Sequence, residues 1–404
     1  MTSTANLREQ IDVWLKAAEQ AGASDLHLMS GYPATIRLHG ELQPVDALAR
    51  ETQSTGTQST EIQPTDSEPL GADRLREALL ELCSDSIRET FLEHSNADFA
   101  YCTPRTHRET SQSHPLVTGQ NDSEQVERDS EQKVRARVNY FQSREGVGAC
   151  FRIIASKIPE LAWAGFPESL AERLIEFRNG LVLLTGMTGA GKSTSLAMIV
   201  DMLNRKGRQR IVTIEDPIEF RYEPVGGSIV SQREVGSDVS DFAQGLRFAL
   251  RQDPDVILVG EIRDYETAQM ALSAAETGHL VLSTLHTRDA KGAISRFADL
   301  FPQSVQAEVR AQLAMSLRAI VSQHLLPCAY EPKRKLALEI LFNSNSIGAG
   351  IRTGKLETID TGIITGRSDG MISLDESINR LLEDHSISRE TALKYISNPD
   401  ALKR

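Results

Sequence analysis

The sequence predicts an α/β protein built on a parallel β-sheet and preceded by a smaller α+β domain. Short apolar runs, rich in β-branched residues, alternate with helical patterns from about residue 168 onward, at 181–185, 211–214, 256–259 and 280–284. Such runs between helices are typical of strands buried on both faces of a parallel sheet. A glycine-rich loop, GMTGAGKS at 186–193, follows the first run and precedes a helical pattern at 193–204. These observations together predict the fold class.

The 404 residues are enough for two to three domains, and we expect four consecutive parts. They are an α+β N-terminal domain at 1–155, a linker at 156–167, an α/β core at 168–330 and a helical C-terminal part at 331–404. In the first part, hydrophobic periodicity predicts helices at 7–21 and 73–93 and strands at 24–29, 34–38, 98–102, 135–141 and 148–154. In the last part it predicts helices at 336–347, 374–384 and 388–397.

Two polar segments interrupt the N-terminal domain. Residues 51–70 and 105–133 are rich in Ser, Thr, Gln and charged residues and poor in aromatic residues. Because neither segment can bury enough apolar surface to offset the entropy of ordering, we expect both to be disordered loops.

The composition indicates a soluble, cytoplasmic protein. The formal net charge is −12, which argues against a nucleic-acid partner. The N-terminus lacks the basic and apolar regions of a secretory signal, and the longest apolar runs are far shorter than a bilayer span. The four cysteines form no CxxC pair, which argues against a zinc site or a disulfide framework. We therefore expect no membrane span, and any membrane association to be through a partner.

The loop at 186–193 matches the phosphate-binding pattern GxxxxGK[ST]. Its glycines let the backbone approach phosphate oxygens, and the N-terminus of the following helix favours an anion. A lysine at the end of the loop would contact the β- and γ-phosphates, and the Ser193 hydroxyl would bind Mg²⁺. The residues that we expect to bind the nucleotide here are Gly186, Thr188, Gly189, Ala190, Gly191, Lys192, Ser193 and Thr194.

Hydrolysis also needs a carboxylate near the γ-phosphate to orient or deprotonate water. Glu261 follows the strand at 256–259, although Gly260 stands where many P-loop proteins carry Asp. Glu215, Asp216 and Glu219 follow the strand at 211–214. Ligands of open α/β sheets bind at the carboxyl ends of the strands, where all four acids are expected. Each could instead be a helix cap or a solvated charge.

Two histidines flank the strand at 280–284. His279 precedes it and His286 follows it, where a residue that senses the γ-phosphate could lie. A single histidine is more often a structural residue, and that alternative applies to both.

Four segments resemble the secretion and type IV pilus ATPases, the type II secretion ATPase superfamily. They are IVTIEDPIEF (211–220), SQREVG (231–236), LRFALRQDPDVILVGEIRD (246–264) and AAETGHLVLSTLHT (274–287). Together with the phosphate loop, they correspond to the motifs of that family. The resemblance implies a RecA-like ATPase core that uses ATP and Mg²⁺. The segment ASDLHLMSGYPATIRLHGEL (23–42) is similar to the family's PAS-like N-terminal domain.

Within that family, the chain is most similar to the PilT-type retraction ATPases of twitching motility. Its N-terminal domain is short, and the four-cysteine zinc module of extension and type II secretion ATPases is represented by Cys328 alone. Residues 370–396 also resemble the retraction type. The resemblance implies a homo-hexameric ring that works on an inner-membrane platform protein.

The resemblance also assigns roles to residues. It implies that Glu261 is the general base, that Glu215 is a further acid near the metal or water, and that the histidines contact the nucleotide. Arginines of the N-terminal domain reach the nucleotide in family members. Here the matching residues are Arg137 and Arg152, with Arg135 and Arg144 as weaker candidates. The alternative for all four is surface ion pairing.

One segment departs from the retraction pattern. Residues 346–353 match a C-terminal motif needed for retraction, but Gly348 replaces its first arginine, and Arg352 matches its second. Gly348 and Gly350 should each weaken a helix by roughly 1 kcal/mol. Three functions therefore stay open: a retraction motor, an ATPase for pseudopilus assembly or type II secretion, and a nucleotide-binding accessory subunit in a mixed ring with a paralogous ATPase.

Overall fold

The computed structural model describes residues 4–38, 41–48, 68–103, 134–154, 157–331 and 333–402. The predicted disordered segment 105–133 lies outside the described residues, as does all of 51–70 except its last three positions. The chain divides into two compact units, Met1–Ser156 and Lys157–Arg404. Within the described parts of the chain, no helix is long and apolar enough to cross a bilayer.

The first unit is a six-stranded antiparallel sheet in the order β3-β2-β1-β6-β5-β4. Its strands are β1 (Asp25–Met29), β2 (Thr35–Leu38), β3 (Glu41–Pro44), β4 (Asn96–Cys102), β5 (Arg135–Ser143) and β6 (Gly146–Ile154). Its helices are α1 (Thr4–Gln20), α2 (Ala72–Leu82) and α3 (Asp85–His94). The helices and strands predicted for this part are confirmed to within a few residues at each end.

The side chains of β5 show why one face of this sheet is covered. Ala136, Val138 and Tyr140 are buried in a core that they share with the three helices. Arg137, which alternates with them, is exposed on the opposite face. A period of two with one apolar face is expected for an antiparallel sheet that is packed on one side only.

The second unit is a seven-stranded sheet in the order β13-β12-β7-β11-β10-β8-β9. All neighbours are parallel except β12 and β13. The strands are β7 (Gly180–Thr185), β8 (Arg210–Glu215), β9 (Ile229–Glu234), β10 (Val256–Val259), β11 (Leu280–Leu285), β12 (Leu317–Pro327) and β13 (Arg334–Phe342). Every residue of β7, β10 and β11 is buried, which explains their continuous apolar runs.

Helices cover this second sheet. They are α4 (Leu161–Ala164), α5 (Glu168–Glu176), α6 (Lys192–Lys206), α7 (Phe242–Ala249), α8 (Tyr265–Glu276), α9 (Ala290–Asp299), α10 (Gln306–Ser316), α11 (Asn345–Thr353), α12 (Glu357–Thr365), α13 (Leu374–Glu383) and α14 (Arg389–Tyr395). The short α4 lies within the expected linker. The large core of this unit is separate from that of the first unit, and a smaller cluster joins β12 and β13 to the C-terminal helices.

The helix predicted at 336–347 is wrong. The structure has β13 over Arg334–Phe342, and the six residues Ala337–Phe342 are all buried. A short apolar run has the same appearance in a buried strand and in a buried helix, so periodicity alone cannot separate the two. The sheet therefore continues beyond residue 330, and the C-terminal part is not wholly helical.

The glycines of α11 have different surroundings. A Cβ atom on Gly350 would lie 2.5 Å from Oγ1 of Thr358, which donates a hydrogen bond to the carbonyl oxygen of Lys355. A Cβ atom on Gly348 would meet no atom closer than 3.4 Å. The helix forms with both glycines present, with Ser344 as its N-cap and Gly354 in a left-handed conformation after its last residue. Gly350 thus lets α11 pack closely against the first turn of α12, whereas Gly348 has no such packing role and only lowers the helix propensity of α11.

We expect Gly348→Ala to raise the free energy of unfolding by about 0.5–1 kcal/mol, because alanine favours helix and the site has room. The matched variant Gly350→Ala should lose that gain, because the new methyl group displaces the Thr358 hydroxyl. Urea unfolding of both variants beside the wild type measures the difference. Equal stabilisation by the two substitutions would contradict the packing role of Gly350.

Candidate nucleotide-binding site

The carboxyl ends of four parallel strands bring the candidate residues together. The phosphate loop follows β7, Glu215 ends β8, Glu261 follows β10 and His286 follows β11. Because these strands are paired in parallel, their carboxyl ends lie at one edge of the sheet. This is the edge at which open α/β sheets bind ligands.

The backbone of the phosphate loop requires its glycines. Gly186, Gly189 and Gly191 have φ angles of +146°, +78° and +86°, a region that other residues rarely adopt. A Cβ atom on Gly186 would also lie 2.5 Å from the backbone oxygen of Gln323 in β12. Of the other predicted loop residues, Thr188 and Ser193 are exposed, and Ala190 is buried with its N–H donating to the Met187 carbonyl oxygen. Thr194 is half-buried in the first turn of α6.

Lys192 is folded into this loop. Its Nζ donates to the carbonyl oxygens of Gly186 (2.8 Å) and Met187 (3.1 Å). Burial lowers the pKa of Lys192, while the charges of Glu261 and Glu219 act to raise it. The ammonium group therefore lies in the field of two carboxylates at the end of the phosphate loop.

Glu261 is held from two sides. Its side chain is largely buried, with Oε1 2.5 Å from Nη2 of Arg263 and Oε2 3.2 Å from Nε2 of His286. Two hydroxyl groups fix the strand end behind it, because Ser283 donates to the Val259 carbonyl oxygen and Thr284 donates to that of Gly260, each at 2.7 Å. Such an oriented carboxylate beside a phosphate loop suits a group that positions or deprotonates water.

Gly260 packs tightly where many P-loop proteins have Asp. Its N–H donates to the Ile214 carbonyl oxygen at 2.8 Å, and a Cβ atom would lie 3.3 Å from the ring of Phe242. The close approach of β8 and α7 at this position favours glycine and leaves Glu261 as the acid at the end of the strand.

Glu215 is oriented by neighbouring polar groups. Its Oε1 accepts hydrogen bonds from Oγ1 of Thr213 (2.6 Å) and from Nε2 of Gln232 (3.1 Å). Gln232 is anchored in turn, because Nε2 also donates to the Phe220 carbonyl oxygen at 2.7 Å. Mg²⁺ takes oxygen ligands, usually one or two from the protein together with substrate phosphates, so the donors of Ser193 and Glu215 fit this ion. Asp216, the next residue, is exposed.

The two histidines lie at opposite ends of β11. His279 precedes β11, and its Nδ1 is 3.0 Å from the Ala274 carbonyl oxygen at the end of α8. The six residues of β11 put roughly 20 Å between its two ends. The structure therefore brings His286 to Glu261, but it does not bring His279 to the phosphate loop of the same chain.

The predicted arginines belong to the first unit. Arg137 and Arg152 are direct neighbours on β5 and β6, and both are exposed. Nε of Arg152 is 3.1 Å from Oδ1 of the buried Asp25. For Arg137, no ion pair is found among the residues that the structure describes. Arg144 lies exposed in the turn between the two strands, and Arg135 begins β5.

Sequence reasoning missed two cations at this edge of the second sheet. Arg263 follows Glu261 by two residues, and Nη1 of Arg334 is 3.4 Å from the carbonyl oxygen of Gly189. Arg263 could have been found from its spacing to Glu261. Arg334 could not, because its strand was predicted to be part of a helical region.

A buried carboxyl group supports the loop that carries His286. Glu339 of β13 accepts a hydrogen bond from the N–H of Ala290, the first residue of α9, at 2.7 Å. Burial raises the pKa of Glu339 to about 7, and the charges of Asp289 and Asp360 add to this effect. Lys291 lies nearby and forms an ion pair with Asp360 at 3.0 Å. The start of α9 therefore rests on a group that titrates near neutral pH.

The family model described as type II/IV secretion system protein matches residues 120–385. The chain belongs to this family. The resemblance seen in its sequence motifs is thereby confirmed. Two pilus ATPases are similar to this chain over most of their length.

Two relatives and one solved structure define this relationship. The type IV pilus retraction ATPase PilT of Pseudomonas aeruginosa is 36% identical over 386 residues, which is 96% of this chain and 98% of the relative. The type IV pilus ATPase PilU of the same organism is 31% identical over 389 residues, 96% and 89% of the two chains. A crystal structure of the pilus retraction motor PilT with bound ADP matches with a TM-score of 0.76 and 34% identity, covering 96% of this chain and 97% of the other. The predicted fold class is confirmed by this match.

Glu339→Gln should reveal the cost of ionising the buried carboxyl group. The folded-state pKa of about 7 lies above the ordinary value of 4.5, so the folded state retains a proton that the unfolded state releases. Stability conferred by this site is therefore present below about pH 4.5 and lost as the pH rises to about 7. The glutamine variant should gain up to about 3 kcal/mol over the wild type at pH 8, and this gap should close toward pH 5.

Urea unfolding of both proteins from pH 5 to 8 measures this gap. The difference between the two proteins cancels other titrating groups, and parallel pH profiles would contradict the assignment. Glu376→Gln is the control for loss of a carboxylate in general. Glu376 belongs to the same unit and forms an ion pair with the exposed Arg380.

Proposed function

We propose that this chain is an ATPase that hydrolyses ATP to ADP and phosphate and, as a homo-hexameric ring, drives retraction of type IV pili. The observation that carries the proposal is the buried Glu261 carboxylate, fixed by Arg263 and His286 at the sheet edge that holds the phosphate loop. Similarity to PilT over nearly the full length of both chains supports the retraction function.

Nucleotide binding is assigned to the phosphate loop. The N–H groups of residues 186–191 and the N-terminus of α6 would surround the phosphates, as in other P-loop proteins. Lys192 would exchange its bonds to loop carbonyl oxygens for phosphate oxygens. Arg334, beside the Gly189 carbonyl oxygen, is placed to contact the bound nucleotide from β13. The bound ADP in the PilT crystal structure supports this assignment.

Water activation is assigned to Glu261. With Oε1 and Oε2 oriented by Arg263 and His286, the carboxylate would accept a proton from water directed at the γ-phosphate. Ser193 and Glu215 would hold Mg²⁺, which offsets negative charge on the phosphates when bound. Lys192 stabilises the charge that develops during transfer.

Assembly would complete the site. Arg137 is exposed and has a neighbouring cation, Arg152, on the next strand. Two adjacent guanidinium groups on an open sheet face suit an anionic partner, and a nucleotide bound by another copy of the chain would be one. We therefore propose that Arg137 acts across a subunit boundary, while Arg152 also has a structural partner in Asp25.

The motor would act in the cytoplasm on an inner-membrane platform protein, as the family resemblance implies.

A second candidate is an accessory subunit that binds nucleotide in a mixed ring with a paralogous ATPase. The departure of α11 from the retraction motif favours this candidate. Gly348 replaces the first arginine of that motif, so Arg352 is the one charged residue among the nine of the helix. Brisk ATP hydrolysis by the purified chain alone would exclude the accessory function.

Glu261→Gln should reduce ATP turnover by roughly 10²–10⁴-fold and leave nucleotide binding nearly intact, because the amide keeps the shape but cannot accept a proton. Lys192→Ala should lose both binding and turnover. Turnover by the purified protein and titration with a fluorescent ATP analogue measure the two effects. Glu276→Gln, an exposed carboxylate on α8, is the matched control. Wild-type turnover in Glu261→Gln would refute the assigned chemistry.

Arg137→Ala should reduce turnover by roughly 10³–10⁵-fold if the residue stabilises the transferred phosphoryl group. Mixing it with Lys192→Ala protein should restore part of the activity, since one variant keeps intact phosphate loops and the other keeps intact arginines. Arg74→Ala, an exposed arginine on α2, is the control. Failure of every mixing ratio to restore turnover would argue against a site shared between copies.

A further inference from the structure

The polar side chain of Gln323 is buried beneath the phosphate loop. Gln323 lies in β12, is 1% exposed, and its Nε2 donates to Oγ of Ser195 at 2.7 Å. Ser195 is 3% exposed and belongs to the first turn of α6, three residues after Lys192. The amide therefore joins β12 to the helix that carries the phosphate-binding lysine.

This amide is only half satisfied. Oε1 of Gln323 is buried and has no hydrogen-bond partner among the residues that the structure describes. A buried acceptor without a partner lowers stability, and an apolar residue of similar volume would avoid that cost. The Gln323 side chain is thus a poor choice for packing, which indicates a role beyond the stability of the core.

The same strand supports the rest of the loop. The backbone oxygen of Gln323 lies where it would contact a Cβ atom on Gly186, at 2.5 Å. At the other end of the loop, Cδ1 of Leu325 would be 3.8 Å from a Cβ atom on Gly191. The strand β12 therefore lies directly behind the loop from Gly186 to Gly191, and Gln323 is the position where its side chain reaches α6.

We propose that Gln323 is a positioning residue for the phosphate loop. Its amide holds Ser195, and through Ser195 it fixes the first turn of α6, so that Lys192 and Ser193 meet the phosphates of a nucleoside triphosphate in a constant orientation. The proposal rests on the proposed ATPase function. Gln323 itself touches no phosphate, and it acts by limiting movement of a helix end whose displacement by a fraction of an ångström weakens binding.

Gln323→Met tests this role, because methionine has a similar volume and lacks the amide. We expect the Kd for a non-hydrolysable ATP analogue with Mg²⁺ to rise roughly 3- to 10-fold. KM for ATP should rise in parallel while kcat changes less, since most contacts of the loop are to phosphates that are already bound in the ground state. The midpoint of thermal unfolding should change little, because removal of the unpaired buried acceptor offsets the lost hydrogen bond to Ser195.

Two further variants isolate the route through Ser195. Ser195→Ala removes the other end of the hydrogen bond and should raise the Kd by a similar factor, and the double variant should be no worse than either single one. Ser322→Ala is the matched control. It removes a buried hydroxyl from the preceding residue of β12, where it accepts from Oγ1 of Thr185 at 2.9 Å and not from α6. Its Kd should stay within about twofold of the wild type.

A Kd for Gln323→Met equal to that of the wild type would overturn the proposal, and a lower unfolding midpoint beside it would leave a structural role. Additive losses in the double variant would overturn the route through Ser195. If Gln323→Met does not fold, Ser195→Ala decides the matter, and an unchanged Kd there overturns the proposal. A wild-type protein that binds no ATP analogue would refute the proposed function itself, an outcome distinct from the others.

Discussion

The parallel pairing of β7 with β11, and of β10 with β8, is the constraint on which the candidate site depends. Residues that are tens of positions apart in the chain share one edge because every strand in this group runs the same way. Three of these strands are wholly buried, so their register is fixed by apolar packing on both faces. The polar groups at the strand ends are therefore held in fixed positions. Strand pairing alone brings a lysine and two carboxylates close together, with little contribution from the loops.

Charge is balanced within the site by close contacts. Glu261 forms an ion pair with the guanidinium group of Arg263. The charge of Glu261 also favours the charged form of Lys192, whereas burial disfavours that form. Removing one member would leave another charge partly buried and uncompensated, which costs more than the pair contributes. The group is therefore expected to respond as a unit, and the effects of single substitutions within it will not add.

Much of the fold could be predicted because its signals are local. The phosphate loop, the strands that follow it and the alternating strands of the first unit depend on periodicity and glycine spacing. The failures have non-local causes. The identity of β13 depends on burial by β12 and the C-terminal helices, and the glycine at 350 is explained by a residue of another helix. His279 and His286 look alike in sequence, but they stand at opposite ends of one strand. Arg334 could be placed only once the β12–β13 pairing was known.

The two units have separate hydrophobic cores, and this affects how heat or denaturant acts on the chain. Each core can melt as its own cooperative block, so unfolding need not be a single transition. A substitution near the arginines of the first unit would move one transition, and a substitution around the phosphate loop would move the other. Nucleotide would raise chiefly the transition of the unit that carries the phosphate loop, by an amount that grows with ligand concentration. Melting curves recorded with and without nucleotide would thus show which of the two units each substitution or ligand stabilises or destabilises.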